Sequence, residues 1–107
     1  MANHDGSRPA TEQLAASKVA VALRAGLGDV EGVFYKVEET PRRPPGFIIQ
    51  ILVVIPDSDR DLEYKVYAAL GKLMRDNRKL LIDLHIVKRR GREVGGLIPA
   101  GFRQAKT

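Results

Sequence analysis

The nine residues Phe47 to Ile55, FIIQILVVI, constrain the fold more than any other part of the chain. They are rich in β-branched side chains, which suit a pleated surface, and they are apolar at odd and even positions alike. A strand turns alternate side chains to opposite faces, so a run of this kind asks for cover on both and belongs in the middle of a sheet. It is also far shorter than the ~20 residues a membrane-crossing helix needs. Gln50 is its only polar member, and a buried amide left without partners would cost about 1–3 kcal/mol.

The segments on either side fall into place around this strand. Ala15, Val19, Ala22 and Leu23 recur at helical spacing in an alanine-rich stretch from about Thr11, with Thr11 as a candidate N-cap and Gly26 and Gly28 as the stop. Gly32 opens an alternating strand in which Val33, Tyr35 and Val37 oppose Phe34, Lys36 and Glu38. TPRRPPG follows; its prolines rule out helix and strand and make a stiff hairpin connector. After Pro56, Asp57 or Ser58 starts a second helix, with Ser58 and Asp61 approximating a capping box. Leu62, Val66, Ala69, Leu70 and Leu73 mark its buried stripe. LLIDLHIVK, Leu80 to Lys88, reads as a third strand, and the apolar residues of LIPAGF are expected to fold back over one end of the core.

The expected architecture is an α+β two-layer fold of order α-β-β-α-β. It has a three-stranded mixed sheet in the order 1-2-3, with both helices on one face. The strand–helix–strand link makes strands two and three parallel. The chain of 107 residues supports one domain, read as residues 11–103, preceded by a flexible arm at 1–10 and followed by a tail at 104–107. With both helices on one side, the other face of the central strand lacks cover from this chain. Homodimerisation through that face is the expectation, with Ile48, Gln50, Leu52, Val54, Asp83, His85 and Val87 as interface candidates.

Charge adds a second expectation. The formal net charge is +5, and the excess lies from Arg75 onward, where nine Lys/Arg meet three Asp/Glu. A solvated basic rim accounts for it. The sharper alternative is nucleic-acid or other polyanion binding through Lys88, Arg89, Arg90 and Arg92, joined by Arg42 and Arg43 of the hairpin. The first ten residues carry no apolar run of the secretory kind, and the expected location is cytoplasmic, without a membrane partner.

Candidate chemistry is sparse. There are no cysteines and only two histidines, which removes thiol catalysis and multi-histidine metal centres. Asp83 and His85 share one strand face, a carboxylate beside an imidazole, but no activated nucleophile accompanies them. Asp57, Asp59, Asp61 and Glu63 do not meet the spacing of a calcium loop and read as helix capping. Glycine-rich phosphate cradles are absent from the sequence. The expectation is a non-enzymatic interaction module with no catalytic residues, metal or cofactor.

Two resemblances accompany this reading. FIIQILVVIPDSDRD, a helix and LLIDLHIV resemble in outline the sheet of small nucleotidyltransferases, with Asp83 at the position of a strand aspartate. The paired metal-binding carboxylates of that family would fall on Ile48 and Gln50, and its Gly-Ser motif is missing, so the resemblance implies a catalytically dead domain. From Leu14 to Phe102, the succession of helix, GVFYKVEE, proline-rich hairpin, FIIQILVVIPD, VYAALGKLM and IDLHIV is similar to the C-terminal domain of the enhanced-serine-sensitivity (SseB) family, with Tyr35, Leu70 and Gly71 as matching positions. That resemblance implies a small α+β interaction module and carries over no catalytic residue. The basic loop and the IPAGF ending depart from its pattern.

Overall fold

The computed structural model describes residues 10–106, so all but the last residue of the arm read at 1–10 lies outside it. The elements run α1 (Ala10–Ala25), β1 (Gly32–Glu39), β2 (Phe47–Ile55), α2 (Arg60–Asp76), β3 (Leu81–Lys88), a 3₁₀ turn (Val94–Leu97) and β4 (Arg103–Gln104). The class is α+β, as the periodicities imply. The sheet, however, has four strands, ordered β3-β2-β1-β4.

β2 is the interior strand that its apolar run requires. It pairs antiparallel with β1, Tyr35 opposite Ile51, and parallel with β3, Leu84 opposite Ile51. Ile49, Ile51, Val53, Val54 and Ile55 are wholly buried. Val33, Tyr35 and Val37 join Ile49, Ile51 and Val53 beneath Ala16, Val19, Ala20 and Leu23 of α1 and Leu62 and Val66 of α2. The small alanines let α1 come close to the sheet. Thr11 is not the cap of α1, because the helix already includes Ala10. At its other end Arg24 donates to the carbonyls of Leu27 and Val30, at 3.2 and 3.0 Å. The cap of α2 is Asp59 rather than Asp57 or Ser58; its carboxylate accepts the Leu62 N–H at 3.0 Å.

The second face is where the structure corrects the sequence reading. A second cluster of Phe34, Leu52 and Val54 lies there, packed against Val87, Val94, Leu97, Ile98 and Phe102. The C-terminal segment thus supplies cover that the sequence reading assigned to another subunit. Arg90 and Gly91, both at positive φ, swing the chain off β3. Gly101, at φ +93, then reverses it so that β4 can pair with β1, Tyr35 opposite Arg103. The fourth strand is two residues long, too short for any alternation to announce it. Gln104 and Ala105, read as tail, belong to the folded unit: Ala105 is buried and its N–H donates to the Val33 carbonyl at 2.8 Å.

Candidate interaction surface

The C-terminal cover stops half-way along the second face. Leu52 and Val54 lie under it, whereas Ile48, Gln50 and Val87 remain half-buried and Asp83 and His85 exposed. Pro99 and Phe102 form the rim of a recess of about 320 Å³, floored by Leu52 and walled by Lys36, Glu38, Gln50 and His85. The Lys36 ammonium sits 5.9 Å from the centre of the Phe102 ring, within cation–π range.

A chain of polar contacts crosses the uncovered half. Gln50 Nε2 donates to Glu38 Oε1 at 2.7 Å, which turns the amide oxygen toward His85 Nε2 at 3.1 Å. A carboxylate fixes the amide orientation, since the reverse would set two acceptors against each other. His85 Nε2 therefore carries the proton, and Asp83 Oδ2 lies 3.4 Å from the same nitrogen. Gln50, the one polar residue of the interior strand, is satisfied in this way at a half-buried position. Glu38 was not foreseen as its partner, although both residues lie on one face of the β1/β2 ladder. Asp83 and His85 are 49% and 54% exposed, too open for the water-excluded setting that strengthens catalytic electrostatics.

The rim of the sheet beside them is β3. The Arg89 N–H donates to the Ile55 carbonyl at 2.8 Å. In the parallel ladder this turns the odd-numbered residues of β3 toward β2. Ile82, Leu84 and Ile86 then direct their N–H and C=O groups outward. Among the described residues no strand pairs with that side. Leu81, Ile82, Leu84, Ile86 and Val87 are all only half-buried. Met74, 41% exposed, lines a recess with Leu81, Ile82 and Asp83 at the start of the strand.

The six basic candidates do not form one patch. Arg42 and Arg43 sit in the exposed hairpin after Glu39, while Lys88 to Arg92 follow the end of β3 that lies beside Gly32. The eight residues of β1 separate these ends by about 25 Å. Arg89 makes a two-pronged pair with Glu31, the second bond at 3.1 Å. That hydrogen bond, and then the Glu31 charge, hold the guanidinium pKa above its ordinary value. Arg92 donates to the carbonyls of Lys88 and Arg89 at 2.9 and 3.2 Å, and Arg90 lies 3.5 Å from Asp57. These arginines brace the turn that leads into the C-terminal cover.

No protein-family model, curated protein or solved structure matches the chain.

Among the described residues no group of three His, Asp or Glu side chains is placed to hold a metal ion, and no helix is long and apolar enough to cross a membrane. Ile48 and Gln50, where nucleotidyltransferases would carry carboxylates, lie on the same face as Asp83, and an amide rather than an acid stands opposite it in the ladder. The sequence reading also passed over Tyr64 and Tyr67, which are 73% and 58% exposed on α2. Both fall outside its apolar stripe, and that was the available signal.

Proposed function

We propose that the protein is a non-enzymatic interaction module that works as a homodimer, with the open side of β3 as its contact. The observation that carries this reading is an eight-residue rim strand without proline, with five half-exposed aliphatic side chains and an outer side that no strand among the described residues pairs with. Such a strand is a template for another strand, and proteins that remain monomeric usually blunt it with bulges, prolines or inward charges. Of the original interface candidates, Ile48, Gln50, Asp83, His85 and Val87 border this rim, while Leu52 and Val54 lie beneath the C-terminal cover. Polyanion binding has less support, because Arg89 is paired with Glu31 and Arg92 is engaged within its own loop.

Sedimentation velocity from about 5 to about 200 µM tests the reading across the range in which a micromolar dimer assembles. The expected result is twice the 11.8 kDa chain mass at the upper end. A monomer throughout refutes it. Fluorescence anisotropy with DNA and RNA at low salt is expected to show no binding; tight, salt-sensitive binding would replace this reading with the polyanion one.

A further inference from the structure

Resting on the homodimer reading, we infer that two copies join edge to edge through antiparallel β3 strands, with the two-fold axis passing through Leu84. A two-fold pairing of identical rims is necessarily antiparallel and self-complementary. Because Ile82, Leu84 and Ile86 turn their backbone groups outward, an axis at Leu84 makes Leu84 and the partner's Leu84 a hydrogen-bonded pair. Ile82 then bonds with the partner's Ile86, and the reverse, giving about six new ladder bonds. The result is one continuous eight-stranded sheet with the helices of both copies on the same side.

Charge and shape select this register over its neighbours. Centred on Leu84, Asp83 stands opposite the partner's His85 on both sides of the axis, in the closer, non-hydrogen-bonded kind of pair. Leu81 meets the partner's Val87, and aliphatic residues meet aliphatic residues on the helix side. Centring on Asp83 would set two carboxylates against each other, which is destabilising. Centring on His85 would place Asp83 opposite the partner's Val87. An axis between residues would match Leu84 with the partner's His85 and throw the two helix layers onto opposite faces. In the favoured register the partner's Asp83 comes to lie beside the polar chain Glu38–Gln50–His85. Met74, exposed beside Ile82, is then close to the seam.

The natural absence of cysteine makes the register directly readable. Asp83→Cys and His85→Cys change exposed side chains and leave the core intact. Opposed positions in a non-hydrogen-bonded pair lie about 4.5 Å apart between Cα atoms, within disulfide reach, whereas the diagonal neighbours lie about 7–8 Å apart. Each variant is oxidised alone and as an equimolar mixture in which one carries an affinity tag. The expected result is a mixed disulfide dimer, about tenfold more abundant than the homodimeric disulfide from either variant alone. Efficient linkage of Asp83→Cys alone, or of His85→Cys alone, overturns the Leu84 axis while the dimer stands. A dimeric mass with no linkage in any arm overturns rim pairing itself. Monomeric mass with no linkage overturns the homodimer reading as well.

Discussion

Replacing Leu52 by alanine tests whether the chain covers its own second face. Leu52 is 5% exposed, in a cluster with Phe34 and Val54 beneath Ile98 and Phe102. Leucine-to-alanine changes at buried sites cost about 2–5 kcal/mol. The cover here is a surface segment held by one 3₁₀ turn and a two-residue strand, able to settle partly into the space, so the lower part of that range applies: about 2–3 kcal/mol. For a domain of this size that lowers Tm by about 8–24 °C. Urea unfolding followed by circular dichroism, at about 2 and about 100 µM protein, measures the loss. The difference between variant and wild type is expected to be the same at both concentrations, even where dimerisation moves both midpoints. A double-mutant cycle with Phe102→Ala is expected to give a coupling of about 0.5 kcal/mol or more, as touching side chains do. A loss below about 1 kcal/mol, or one confined to the concentrated sample, would mean that Leu52 is bare in the single chain, and the account of the second face would be wrong.

Asp59→Ala removes the side-chain oxygen that caps α2 and is expected to cost about 1 kcal/mol by thermal unfolding, with Asp59→Asn close to neutral. Glu31→Gln releases Arg89, so the variant is expected to elute from heparin at higher salt than wild type; unchanged elution would show that Arg89 is not held by that carboxylate. Gly101→Ala places a side chain at φ +93 and 3.3 Å from Lys36, which is expected to destabilise by about 1–3 kcal/mol in the same urea assay. His85→Ala changes an exposed side chain and is expected to leave monomer stability within about 0.5 kcal/mol, measured below the dimerisation range.

What could be read from the sequence follows from how the elements are held. FIIQILVVI declared an interior strand because its burial is two-sided and its side chains are β-branched. The stripe Leu62, Val66, Leu70 declared α2 because a helix resting on a sheet buries one narrow face. β4 left no trace, since two residues bounded by a glycine turn have no period. The C-terminal segment was expected to fold back over one end of the core, but its seat on the second face was not legible, for a related reason. Val94, Leu97, Ile98 and Phe102 follow no regular spacing, and their partners Phe34 and Leu52 are remote in sequence. The polar chain on the uncovered half was half legible: Asp83 and His85 are two apart on one strand, but Glu38 meets Gln50 only through the register of β1 against β2. The pairing of the basic residues was not legible, because net charge counts cations without counting their partners, and Glu31 lies 58 positions from Arg89.

The brief strand β4 bears on how far assembly proceeds. It occupies the rim opposite β3 and borders it with the exposed cations Arg103 and Lys106. A chain sticky along both flanks could polymerise without limit, as fibril-forming sheets do. Here the C-terminal clasp makes the two flanks unlike: β4 sheathes the Phe34–Tyr35 part of β1 and lines it with cations, so a pair joined at β3 would end in short, charged rims that disfavour a filament.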